Sequence, residues 1–296
     1  MTICIGAICN KGRAAIVASD RMVTSNFPAI EFEHTQKKIV PLTKYCLIST
    51  AGNALKPIEI IPRLKTLVQE KLKTPNIEYI VENAGEIYQF IRSKEAESNH
   101  LKPRTITSEL FYTRGTQIFP HDIFAVIDSR FHQHDLGIIL LIVGIDSKGA
   151  HVFTIRNPGI FDCYNSIGFH AIGSGALHSL QTFISCRYKV EYDLTEALNI
   201  VYAAKKAAEV APGVGLESDI YVINENDYYA LDDKIISELE RIYEDVHITP
   251  VEELKQKTDK LKEFLNKMKP TNELDEKKEE IKTNSSKSKP TKKKPD

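Results

Sequence analysis

Thr2 stands one peptide bond from the start of translation and runs directly into the apolar stretch Ile3-Cys4-Ile5-Gly6. Loss of Met1 would leave its hydroxyl beside a free α-amine of unperturbed pKa near ~8, giving one residue a nucleophile and its own general base. A carboxylate can reach it. Residues 3–8 and 14–18 read as two strands of a hairpin, and the second ends in Ser19-Asp20-Arg21, so antiparallel pairing returns Asp20 to the amino terminus. Taken alone, Asp20 is equally a solvated strand-end acid. Gly52 follows the apolar run 45–50 and permits a sharp turn with an exposed N–H, which suits an oxyanion donor and also any ordinary turn. Gly173-Ser174-Gly175 joins a strand to a helix; it lacks the phosphate-binding Gly-x-x-x-x-Gly-Lys pattern, which leaves a positioned serine hydroxyl as its use.

Composition limits what these residues can serve. The chain has 296 residues, 42% of them apolar, enough for a sizeable core. Lys+Arg (39) and Asp+Glu (40) cancel to a net charge of −1, which argues against an electrostatic grip on nucleic acid or membrane. Five cysteines, odd in number and widely spread, fit reduced buried thiols better than a disulfide frame or a zinc site. No secretory leader pattern and no apolar run near ~18 residues is present, so a cytoplasmic location is expected. His132-Gln133-His134-Asp135 resembles a metal-binding run in composition, but side chains at i and i+2 on a helix end face apart, and no metal or cofactor is expected.

The elements that must position these groups can be read in order. Residues 22–36 read as a loop, and 37–42 with 45–50 as a second strand pair. Helical spacing covers 57–73 and 76–91; the stretch 93–107 loses period, and 93–134 reads as an insertion with a short helix over 122–134. Strands follow at 137–145, 150–155 and 161–165, with turns at Asp146-Ser147-Lys148-Gly149 and Asn157-Pro158-Gly159. A strand ends at the glycine-flanked serine, and a helix spans 177–186. Asp193 and Glu196 form a capping pattern for another helix. Residues 218–223 are a core strand, 228–231 a shorter one and 235–246 a helix. Thr249-Pro250 opens a further helix with an apolar stripe from Val251 to Met268.

This order predicts an α+β chain folded as a four-layer αββα sandwich. With Thr-Ile-Cys-Ile-Gly, Ala-Ser-Asp-Arg, Lys-Lys-Ile-Val, Thr-Ala-Gly and Gly-Ser-Gly in succession, the chain resembles the proteasome β-type branch of the N-terminal-nucleophile (Ntn) hydrolases. The resemblance covers roughly residues 2–225. It implies that Thr2 is the nucleophile, that Lys38 on a neighbouring strand and Asp20 tune it, that the Gly52 N–H stabilises the oxyanion, and that Ser174 contacts the Thr2 amine. The domains implied are an Ntn hydrolase domain over 1–231 with the 93–134 insertion, a C-terminal helical extension over 232–270, and a disordered charged tail over 271–296.

The activity implied is a threonine-type peptidase or amide hydrolase acting on peptides or unfolded protein, in a homo-oligomeric ring or stacked-ring assembly. Two alternatives stay open. One is a non-catalytic proteasome-like structural or interaction subunit, because the segment 211–219 departs from the family pattern. The other is a connectase-like transpeptidase. Thr2 is expected to be exposed by ordinary loss of Met1, not by self-cleavage, and the lysine-rich tail does not suggest an ATPase partner.

Overall fold

The computed structural model describes residues 2–26, 29–34, 37–53, 56–71 and 76–247, excluding the side chains of 24–26, 29–31, 70–71 and 247. Residues Met1–Glu244 form one compact unit and Asp245–Asp296 a second. The helix expected from 249 and the tail from 271 lie outside the described residues.

Ile3–Cys9 (β1) and Ala14–Asp20 (β2) have every residue buried, because each strand is covered on both faces. They pair antiparallel with Cys4 opposite Ser19, joined by a short turn at Asn10–Gly12. Next come Met22–Asn26 (β3) and Ala29–Glu33 (β4), which pair with each other. The loop expected over 22–36 is therefore a two-stranded ribbon over most of its length, each strand only five residues long, with the backbone groups paired across the hairpin.

Val40–Thr43 (β5) and Cys46–Gly52 (β6) form the expected second pair, although Lys38 precedes β5 and is not part of it. Two amphipathic helices follow, Pro57–Lys71 (α1) and Ile77–His100 (α2). Helix α2 runs well past the expected end at 91. The insertion continues as Ser108–Ile118 (α3) and His121–His132 (α4), so the stretch that lost period is helical for much of its length. Its apolar residues are sparse because they face a small separate core of Ala96, Leu101, Ile106, Phe111, Ile127 and Phe131. Phe111 is fully buried and stacks on Phe124 at 4.6 Å between ring centres.

Ile138–Asp146 (β7), Gly149–Arg156 (β8) and Ile160–Cys163 (β9) extend the sheet begun by β5 and β6, in the order β5-β6-β7-β8-β9. Phe169–Gly173 (β10) returns to the first sheet beside β1. Ala176–Ser185 (α5) and Leu194–Ala208 (α6) follow, the latter opened by a reciprocal cap between Asp193 and Glu196. Ser218–Asn224 (β11), Tyr228–Ala230 (β12) and Asp233–His247 (α7) complete the described elements, and the first sheet has the order β10-β1-β2-β11-β12.

Mixed α and β structure follows from strand alternation. On β1, Ile3, Ile5 and Ala7 join a core with Val201, Ala204 and Phe183 of the helices α5 and α6. Cys4 and Ile8 point the other way, into a core with Leu47, Leu141, Val143 and Val152 of the second sheet. The far side of that second sheet packs Ile48, Leu140 and Ile142 on Ile60, Leu64, Ile80 and Tyr88 of α1 and α2. Gly6 allows a close approach of the two sheets, since a Cβ there would lie 2.7 Å from Val143.

Candidate active site

Three chain segments converge on Thr2. It is buried just before β1, and its hydroxyl donates to Asp20 Oδ1 at the end of the paired strand β2. The Lys38 ammonium, arriving from the bend before β5, donates to the same hydroxyl and to Asp20 Oδ1, the latter at 2.7 Å. Thr2 Oγ1 thus stands between a carboxylate and an ammonium.

Asp20 has no exposed surface, so its charge must be satisfied internally. Oδ1 also accepts the Ile3 N–H at 3.0 Å; Oδ2 accepts Met22 N–H at 3.1 Å and Gly215 N–H at 2.9 Å. The pairing of β2 with β11, which sets Asp20 opposite Ser218, brings the chain before β11 within reach. Arg21 adds a second tie there, pairing with Glu217 at 2.7 Å and Asp219 at 2.8 Å.

Ser174 meets Thr2 from the other side. Its hydroxyl accepts the Thr2 N–H at 3.3 Å and donates to Pro212 O at 3.0 Å, with Thr2 O at 3.4 Å as a weaker acceptor. Gly173 makes this approach possible: its φ is +107°, and a Cβ would fall 2.1 Å from Thr2 O. Gly52, at the end of β6, has φ +108° and lies against Gly137, whose carbonyl would be 2.1 Å from an added Cβ. Gly52, Gly173 and Ser174 line one cavity of about 580 Å³, completed by Asp135, Arg156 and Asn157 among others.

Thr2, Asp20 and Lys38 are therefore mutually in contact, Ser174 joins them through Thr2 alone, and Gly52 shares the cavity with Ser174. Met22, Pro212 and Gly215 act through backbone groups and are not among the expected site residues; the departure from pattern in 211–219 is a signal for the last two, and Met22 carries none. Cys4 lies close by, its thiol directed to Thr50 O at 3.6 Å and pushed up to about 12 by burial. It is a packed thiol, not a second nucleophile. His132 and His134 at the end of α4 take different partners: His132 sits by the Asp128 carbonyl at 3.0 Å, and His134 stacks edge-on with His100. Among the described residues, no cluster of three or more His, Cys, Asp or Glu could hold a metal, and no helix is long and apolar enough to cross a membrane.

No family model matches the chain. A segment of 95 residues, 32% of the chain, is 32% identical to the probable proteasome subunit beta type-2 of Schizosaccharomyces pombe (strain 972 / ATCC 24843). The match spans about a third, 34%, of that protein. Over that segment the chain is similar to a proteasome β-type subunit.

Proposed function

We propose that the chain is a threonine-type amide hydrolase of the Ntn kind, with its two sheets and flanking helices forming the four-layer αββα sandwich. The observation that carries this reading is the contact of Thr2 Oγ1 with both Asp20 and Lys38, with Ser174 at Thr2 N. Once Met1 is removed, the Thr2 amine takes the hydroxyl proton as Oγ1 bonds to the substrate carbonyl carbon. The Lys38 ammonium stabilises the developing alkoxide, and Asp20 holds that ammonium in place. The Gly52 N–H receives the carbonyl oxygen, a donor worth about 3 kcal/mol in the transition state. The ammonium on Thr2 then protonates the leaving amine, the C–N bond breaks, and water hydrolyses the ester left on Oγ1.

One cavity is lined both by Gly52, the oxyanion donor of this reading, and by Ser174, the hydroxyl at Thr2 N. The alternative reading is transpeptidation, in which a peptide amine takes the acyl group in place of water. A peptide substrate, a homo-oligomeric assembly and a cytoplasmic location accompany either reading as part of the proposal.

Labelling with a peptide β-lactone or epoxyketone, read by intact mass, tests it. The expected result is a protein lacking Met1 that carries one adduct on Thr2, absent in Thr2→Ala. Quantitative retention of Met1, or no adduct, would sink the nucleophile reading and leave a non-catalytic subunit. Product formation that depends on an added peptide amine would favour transpeptidation over hydrolysis.

A further inference from the structure

Helix α6 turns Lys205 inward, where the side chain is fully buried, a rare place for an ammonium. Its Nζ pairs with Glu209 Oε1 at 2.6 Å and donates to the carbonyl of Leu216. Lys206 stands beside it and holds Glu209 at 3.0 Å and Glu240 at 3.1 Å. Burial pulls the Lys205 ammonium below its ordinary value, and Glu209 opposes that pull.

Leu216 belongs to the segment 211–217 between α6 and β11, and this segment touches the Thr2 group twice. The Gly215 N–H donates to Asp20 Oδ2 at 2.9 Å, and Pro212 O accepts from Ser174 Oγ at 3.0 Å. Leu216 N and Glu217 N are tied to Glu33 Oε1 at 2.6 and 3.1 Å. At Gly215 a Cβ would lie 2.7 Å from that same oxygen and 3.0 Å from Met22 N, so the segment lies flat against the chain that supplies Asp20 Oδ2 with its other N–H. The peptide group that follows Gly215 by one residue is thus the one Lys205 grips.

We infer that Lys205 is a positioning residue that clamps the segment 211–217, so that one of its peptide groups sets Asp20 and another sets Ser174 on the two sides of Thr2. This rests on the reading of Thr2 as nucleophile. Lys205 lines no part of the cavity, so its loss slows the chemical step and spares recognition.

The test compares wild type, Lys205→Met and Lys205→Gln in β-lactone labelling of Thr2, resolved into a maximal rate and a half-saturating concentration. Gln and Met have nearly the same shape, but Gln keeps an N–H donor. The maximal rate in Lys205→Met should fall at least about tenfold with half-saturation within about threefold, and Lys205→Gln should recover at least about threefold of the loss. A wild-type rate in Lys205→Met, equal slowing in both variants, or a loss confined to half-saturation overturns the inference. Where Lys205→Met fails to fold, Glu209→Gln carries the test: a lowered maximal rate supports the clamp and an unchanged one overturns it. Absence of labelling in wild type defeats the nucleophile reading instead. The clamp is then read by amide exchange of 211–217, expected at least about tenfold faster in Lys205→Met, and unchanged exchange overturns it.

Discussion

Lys38 Nζ lies 2.7 Å from Asp20 Oδ1, with the carboxylate wholly buried and the lysine side chain 14% exposed. Removing one member of such a pair leaves the other charge without compensation, at a cost of about 3–5 kcal/mol. Asp20→Asn is therefore expected to lower the melting temperature and to slow Thr2 labelling by at least about 100-fold. Wild-type labelling in a folded Asp20→Asn protein would remove the carboxylate from the mechanism.

Lys38→Met separates charge from packing. It keeps an apolar stem in the bend before β5 but removes the donor to Thr2 Oγ1. Labelling is expected to fall by at least about 100-fold and the melting temperature to drop, because the buried Asp20 loses its partner, while the circular dichroism of the folded protein stays that of wild type. Labelling within about twofold of wild type would show that the ammonium plays no part.

Gly52→Ala places a Cβ where the Gly137 carbonyl oxygen already sits, at a backbone φ of +108°. The backbone at 52 must move, carrying its N–H with it. A drop of at least about 2 kcal/mol in unfolding free energy is expected from strain alone, with a labelling rate lower by about 100-fold if that N–H is the oxyanion donor. Denaturant melts and inactivation kinetics on the same sample read the two effects separately.

Alkaline stability follows from the buried thiols. Burial pushes Cys4 and Cys9 from 9.0 up to about 12, and raises Cys46 as well. The unfolded chain loses these protons first, so the stability they contribute is fully present below about pH 9 and is lost as pH rises toward 12. Each thiol steepens the fall by up to about 1.4 kcal/mol per pH unit in that window. Melting temperatures measured from pH 8 to 11 should decline less steeply in Cys9→Ala than in wild type; parallel curves would contradict the assignment.

Phe111→Ala tests whether the insertion stands on its own core. Phe111 is buried among Ala96, Ile106, Ile127 and Phe131, and its truncation should cost about 3–5 kcal/mol. That cost is expected to appear as faster amide exchange in α3 and α4, with Thr2 labelling within about twofold of wild type. Loss of labelling in step with the exchange would show that the insertion supports the Thr2 site.

How much of this was legible without coordinates differs from residue to residue. Thr2 beside an apolar strand, Asp20 at the end of its hairpin partner and the capping pair Asp193 and Glu196 are local features, fixed by short-range periodicity and turn chemistry, and they could be read directly. The ribbon at 22–33 and the long α2 could not. The ribbon has strands of five residues each, too short to set a period, and in α2 polar residues outnumber the apolar ones, the helix extending through Ala96 because a separate core receives it.

Residue types and their local order settle which chemical groups are available and put Thr2 and Asp20 at the ends of paired strands, because alternation and hairpin pairing act over a few residues. What surrounds Asp20 depends on long-range strand pairing. The pairing of β2 with β11 brings Gly215 to a carboxylate 195 residues away, and a backbone N–H carries no signature in the residue type that bears it. Burial of Lys205 is of the same kind: one lysine among many in the chain, made distinctive by the helix face that faces inward and by the carbonyl of Leu216 waiting there.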